Sequence, residues 1–236
     1  MTDQSFEGSS AVITGGTGAL GRAVVAQLLD RGAICHVPVF DADELADFAL
    51  RDHDRVRLHH GVDVRDEAAV ARLYDGLDDL AASIHVAGGF AMAPIAEADA
   101  ASLRDQLEMN VVTCFLCCRA AVVAMRRHGR GGRLVNVAAR PALEPRLGAG
   151  MTVYTASKAA VAALSVALGE ELAGEAIWVN AVAPSIIDTP ANRAAMPDAA
   201  HGTWASADAI ARTIVFLASS DNAVTRSGVV PVYGRS

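Results

Sequence analysis

A short apolar run, Ser10 to Thr14, breaks into Thr14-Gly15-Gly16-Thr17-Gly18-Ala19-Leu20-Gly21, and helical periodicity follows from Arg22 to Leu29 with Gly32 as a stop. A strand, a tight turn and a helix in that order leave few folds open to the chain. Four glycines within the seven residues from Gly15 to Gly21 carry an entropy cost that needs a reason. In this setting the glycines let the backbone approach a pyrophosphate, whose charge the helix N-terminus stabilises. Gly15, Thr17, Gly18, Ala19, Leu20 and Gly21 are therefore the expected phosphate-side contacts of a dinucleotide. A nucleoside-triphosphate loop would need Lys and then Ser or Thr after the last glycine, and Arg22-Ala23 stand there instead.

The same alternation continues. Ala33 to Val39, Val56 to Val62, Ser83 to Val86, Arg133 to Val137, Trp178 to Val182 and Val229 to Val232 are further expected strands, most of them separated by helical stretches long enough for a crossover. Apolar, β-branched strands alternating with helices predict an α/β fold: one doubly wound parallel sheet with helices on both faces. No repeat or linker divides residues 1–236, so a single domain is expected. The longest irregular stretch, 184–206, contains Pro184, Pro190, Pro197 and Gly202 and is expected to be a substrate lid.

A net charge of −7 and a pI near 5.4 argue against nucleic acid or an anionic membrane as partner. The one basic run, Arg126-Arg127-His128-Gly129-Arg130, is expected to be a helix end stopped by Gly129. Met1 to Ser10 lack a signal-peptide pattern and no run of about 18 uninterrupted apolar residues occurs, which suggests a soluble, cytoplasmic protein. Of the cysteines at 35, 114, 117 and 118, three fall in the apolar helical stretch Val111 to Met125; buried reduced thiols are expected rather than a redox Cys114-x-x-Cys117 pair. His59-His60 has no further ligands at metal spacing, and no metal site is expected.

Tyr154 and Lys158 stand four apart, which puts a phenol and an ammonium on one face of a helix. A nearby cation favours the phenolate, so Tyr154 could exchange a proton near neutral pH. By itself the pair is also what any amphipathic helix can carry. An acid that binds the adenosine ribose should close the second strand. Asp41 lies 20 positions beyond Gly21, slightly past the expected strand end at Val39, which leans toward NAD over NADP.

Taken together these segments resemble the short-chain dehydrogenase/reductase family, whose fold is the Rossmann type. Its cofactor turn corresponds to Thr14 through Gly21, its adenine-contacting pair to Asp63-Val64, and its Asn-Asn-Ala-Gly strand end to His85-Val86-Ala87-Gly88. Its helical asparagine corresponds to Asn110, its active-site pair to Tyr154 and Lys158, and its Pro-Gly-x-x-x-Thr segment to Pro184 through Thr189. The resemblance implies an NAD(P)-dependent oxidoreductase acting on a small molecule. Tyr154 would be general acid/base, Lys158 would lower its pKa and hold the nicotinamide ribose, and Asn110 would support a proton relay. Asp63, Val64, Ala87, Gly88, Pro184, Ile187 and Thr189 would line the cofactor.

The sequence departs from that pattern where the family places a catalytic serine, for Val135-Asn136-Val137-Ala138-Ala139-Arg140 offers only alanines. Thr152 and Thr155 are nearby hydroxyls, although a threonine at a helix start is more often a cap. The serine-free segment, the Gly15 to Gly21 turn, and Asp188 to Pro197 followed by Trp204 are similar to the dihydropteridine reductase branch, which implies a small conjugated or imine-like, possibly dihydropterin-like, substrate. Asn192 and Arg193 would then either touch substrate or brace the lid, and Trp204 would pack beneath it. Two alternatives stand: a general carbonyl or 3-oxoacyl reductase in which water or threonine replaces the serine, and a non-catalytic NAD(P) sensor. Apolar residues on more than one face of the helices at 111–125 and 156–172 suggest a homodimer or homotetramer.

Overall fold

The computed structural model describes residues 5–236. Seven strands, β1 (Ser10–Thr14), β2 (Ile34–Val39), β3 (Val56–His60), β4 (Leu80–His85), β5 (Gly132–Val137), β6 (Ile177–Pro184) and β9 (Val229–Val232), form one sheet. Its order is β3-β2-β1-β4-β5-β6-β9, and every neighbouring pair is parallel. The first and last strands have the bounds expected from sequence and the other five differ by a few residues at their ends. Buried parallel strands are continuous apolar runs, which makes their existence easy to recognise and their ends less so.

Helices cover both faces: α1 (Ala19–Leu29), α2 (Glu67–Tyr74), α3 (Ala100–Leu107), α4 (Thr113–His128), α5 (Arg140–Leu143), α6 (Thr152–Glu171), α7 (Pro190–Ala195) and α8 (Ala207–Ala218). Because side chains alternate along each strand, the sheet feeds two cores. Ala11 and Ile13 join Val24, Leu28 and Ile214 under α1 and α8, whereas Val12, Leu134 and Val179 join Cys117, Val122 and Val161 under α4 and α6. The stretches Ala100–His128 and Thr152–Glu171 are apolar and long enough to cross a bilayer, yet half of the first lies buried within the fold. Gly129 ends α4 in the left-handed conformation at φ 66°, behind Arg126, Arg127 and His128 in the last turn, as expected.

The segment 184–206 is not the irregular loop expected from its prolines. Thr189 caps α7 by accepting from the Asn192 N–H, and Pro190 occupies the first helical position, where its missing N–H costs nothing. Two short strands, β7 (Ile187–Asp188) and β8 (Ala205–Ser206), pair in parallel and bring the two ends of the segment together. Pro190 here starts a helix rather than breaking one.

Candidate active site

The chain runs outward from β1 through β2 to β3 and then returns to place β4 on the other side of β1. That reversal opens a crevice beyond the carboxyl ends of β1 and β4, where parallel α/β sheets hold their ligands. Gly15 enters it at φ 65°, and a Cβ there would stand 2.8 Å from the Ala87 nitrogen. A Cβ on Gly21 would collide with the Gly15 carbonyl. The turn is therefore folded back on itself to a density that only glycine allows. Gly18 opens α1 without a side-chain cap, and no acidic residue occupies the first helical turn. The start of α1 thus has neither a cap nor an acid of its own to neutralise its N–H groups and dipole, a cradle that fits a pyrophosphate.

Just past the second strand stands Asp41, the expected ribose acid, exposed at the surface. β2 ends at Val39, and the Asp41 carboxylate accepts from the Asp43 N–H at 3.0 Å, capping a short 3-10 turn at Ala42–Leu45. The reciprocal partner of that capping box, Glu44, binds the Asp41 N–H at 3.1 Å and accepts from the Thr17 hydroxyl at 2.8 Å. An acid not singled out from sequence therefore reaches the glycine turn. Its signal was legible as Asp-x-x-Glu, a capping box. Asp63 also has a partner: Arg65 clasps it with Nη2 at 2.8 Å, holding its carboxyl below the usual range, and lays its guanidinium 5.6 Å from the Phe40 ring centre. Val64 follows it on the half-buried flank of the crevice.

Between α3 and α4 the helix widens into a π turn at Glu108–Val112, and Asn110 projects from it. Its amide makes a paired contact with the Gly89 backbone, accepting from N and donating to O at 3.0 Å each, and donates to Ser157 Oγ at 3.1 Å. Asn110 thus ties the loop after β4 to α6. Gly88 lies between Asn110 and Lys158 so closely that an added Cβ would stand 3.2 Å from Lys158 Nζ.

Tyr154 and Lys158 share one face of α6, but the cation does not depress the phenol as the spacing suggested. Lys158 Nζ turns to the Val137 carbonyl at 2.9 Å. Burial pushes the Tyr154 phenol up to about 12 and pulls the Lys158 ammonium down to about 8. The i,i+4 spacing fixes a shared face, not a shared hydrogen bond, and desolvation dominates both groups. Phe90 meets the Tyr154 ring edge-on at 4.9 Å. Phe90, Met92 and Ile95, each more than 60% exposed, form an apolar lip on the same loop.

Ala138 and Ala139 are buried at the end of β5 and offer no hydroxyl. Thr152 does not cap α6, which begins after Met151. The Thr155 hydroxyl is buried without a partner and abuts Gly148, so it does not replace a missing serine. Pro184 ends β6, Ile187 lies in β7 and Thr189 is occupied as the α7 cap. Within the same segment Arg193 grips Asp188 through two hydrogen bonds of 2.6 and 2.9 Å, and Asn192 donates to the Ile187 carbonyl at 2.8 Å. Both residues brace the segment. Trp204 is half-buried against His201, ring centres 4.6 Å apart.

A family model described as short chain dehydrogenase matches residues 9–200. The chain is 33% identical to the cis-4-hydroxycyclohexanecarboxylate dehydrogenase of Sinomonas cyclohexanicum, with 98% of this chain and 97% of that one aligned. It is 27% identical to the rhamnolipids biosynthesis 3-oxoacyl-[acyl-carrier-protein] reductase of Pseudomonas aeruginosa, over 98% of this chain and 96% of that one. The solved structure of ElxO with NADP bound shares the fold at a TM-score of 0.86 and 20% identity, over 96% of this chain and 97% of that one.

Proposed function

The chain belongs to the short-chain dehydrogenase family and is an NAD(P)-dependent oxidoreductase, and on that premise we propose that it reduces a small conjugated or imine-like substrate, dihydropterin-like in shape, with Tyr154 as general acid. The observation that carries this reading is the combination of a half-buried Tyr154 and the buried Lys158 and Asn110 with Ala138 and Ala139 where a carbonyl-polarising hydroxyl would have to stand. A substrate already activated by conjugation or by a C=N bond needs a proton donor and little else from the protein.

A bound nicotinamide would supply the hydride. Gly15, Gly18 and Gly21 would seat its pyrophosphate, and Ala87, Gly88, Pro184, Ile187 and Thr189 would flank it. Tyr154, protonated at pH 7 as an ordinary phenol is, would deliver the phenolic proton to the substrate heteroatom beside the carbon that receives the hydride. Lys158, whose ammonium donates to the Val137 carbonyl, would hold the ribose. Asn110 keeps the Gly88-Gly89 loop in place so that these groups face the crevice. Phe90 and the apolar lip suit a flat ring stacked over the tyrosine edge. For the cofactor we favour NAD, because the Glu44 carboxylate at Thr17 would repel a 2′-phosphate.

The test is to compare kcat/KM for quinonoid dihydropterin with that for a simple cyclic ketone, using NADH. Preference for the pterin by an order of magnitude or more supports the reading. The second reading, a general carbonyl or 3-oxoacyl reductase with water in place of the serine, is favoured by the similarity to the Pseudomonas reductase along nearly the full length. Equal or faster ketone turnover would select it. We also propose a homodimer or homotetramer, since Phe115 and Val123 on α4 and Val166 on α6 stay exposed; sedimentation showing only monomer at micromolar concentration would refute this.

A further inference from the structure

Directly behind Lys158 the fold assembles a cluster that no linear spacing announces. His85 at the end of β4 faces Cys114 and Cys118, one turn apart on α4, and their ligand atoms all lie within 4.8 Å of one another. All three residues are 4% exposed or less. In register beside His85 on β5 stands Asn136, whose Oδ1 is 2.7 Å from His85 Nδ1 and 3.5 Å from Cys118 Sγ.

We propose that this cluster is a closed site for a thiophilic divalent cation of the zinc class, bound by His85 Nδ1, Cys114 Sγ and Cys118 Sγ with Asn136 Oδ1 as fourth ligand. Two sulfurs, one imidazole nitrogen and one amide oxygen make a donor set for zinc and against calcium or magnesium. Zn–S bonds of about 2.3 Å and Zn–N bonds of about 2.0 Å put tetrahedral ligand atoms roughly 3.5–4 Å apart. The cluster therefore has to contract by up to about 1 Å between its widest ligand atoms, while His85 Nδ1 and Asn136 Oδ1, 2.7 Å apart, have to open by about 0.6 Å.

The hydrogen bonds around His85 show how the ring would be held. Ser165 Oγ donates to the Val161 carbonyl, Asn136 Nδ2 donates to Ser165 Oγ at 2.8 Å, and so Asn136 must present its oxygen to His85. In the structure as it stands, Nδ1 carries the ring proton. On the far side, Ser83 Oγ is 2.8 Å from Nε2 and Tyr74 OH is 2.7 Å from Ser83 Oγ, with Cys117 next to Tyr74. That hydroxyl chain can run in either direction. Reversed, Ser83 accepts from Nε2–H and frees Nδ1 for the ion, the outer support that metal-bound histidines use. The two thiolates neutralise the divalent charge.

The test uses the intact protein incubated with Cd(II) or Zn(II) in the presence of a weak competing chelator. Expected are a thiolate-to-cadmium charge-transfer band saturating at one ion per chain and a rise in melting temperature with Zn(II). His85→Asn, Cys114→Ala and Cys118→Ala should each weaken binding at least tenfold, whereas Cys117→Ala should leave the band unchanged. Circular dichroism establishes that the variants are folded. No band, or a band that survives all three ligand variants, would overturn the proposal. So would binding without a thiolate band, which would place the ion on the half-buried His36 and His59 pair, 3.0 Å apart.

Discussion

Under α1 and α8 the sheet buries Ile13, Val24, Leu28 and Ile214 and almost nothing polar, whereas under α4 and α6 the same strands bury Ser83, His85 and Asn136 together with three thiols. The alternation of β4 makes the split plain: Ala82 and Ile84 point into the first core, Ser83 and His85 away from it into the second. The first face is held mainly by dispersion and water exclusion, with Gln27 donating to the Asp208 carbonyl at its edge and Asn180 as its buried polar strand residue. The second keeps hydrogen-bond partners for every link from Tyr74 through Ser83, His85 and Asn136 to Ser165, and it backs onto Lys158. One sheet thus carries a mainly apolar face and a more polar one. The lesson is that burial and function are compatible only where the polar groups satisfy one another.

The contrast can be broken by mutation. On the apolar face, Leu28→Ala should cost about 2–5 kcal/mol of stability in urea unfolding and leave NADH affinity unchanged. A loss well below that range would mean the face is loosely packed. On the polar face, Asn136→Ala removes little volume but strands His85 Nδ1–H and Ser165, so about 1–3 kcal/mol should be lost; a neutral result would show that the network contributes nothing. Lys158 sharpens the contrast. Its folded pKa, about 8, lies below its ordinary 10.5, so its buried charge costs stability in full below about pH 8, and that cost fades as pH rises toward 10.5. Lys158→Met should therefore stabilise the fold by on the order of 1–2 kcal/mol at pH 7, after the lost bond to Val137, and the gain should shrink by pH 10 while turnover is lost. A destabilised variant would contradict this. The smallest effect concerns the crevice itself: Glu44→Gln should shift the NADPH-to-NADH affinity ratio toward NADPH by roughly fivefold, about 1 kcal/mol. No shift in paired fluorescence titrations would remove Glu44 from cofactor choice.

What could be seen in the sequence followed the same division. Apolar strands and the glycine turn are local patterns, so seven strands, their parallel arrangement and the tight turn after the first of them were legible from Ser10 to Val232. The short parallel pair in 184–206 was hidden because each strand has only two residues and their partners are 18 positions apart. Glu44 was missed because a capping box looks like punctuation until its side chain is seen against Thr17. His85 registered only as a departure from a family pattern. Its partners Asn136 and Cys118 stand 51 and 33 residues away on other elements, and no periodicity records such a meeting. The electrostatics of Tyr154 went the other way: spacing suggested a lowered phenol, and burial raised it.

The most direct test of the account is a single-turnover measurement of NADH oxidation with quinonoid dihydropterin, comparing the natural chain with Tyr154→Phe after NADH affinity has been measured for both. The account predicts equal NADH affinity and a hydride-transfer rate about 10²–10⁴ lower in the variant, the range expected for loss of a general acid. Equal rates in the two proteins would contradict it and remove Tyr154 from the chemistry.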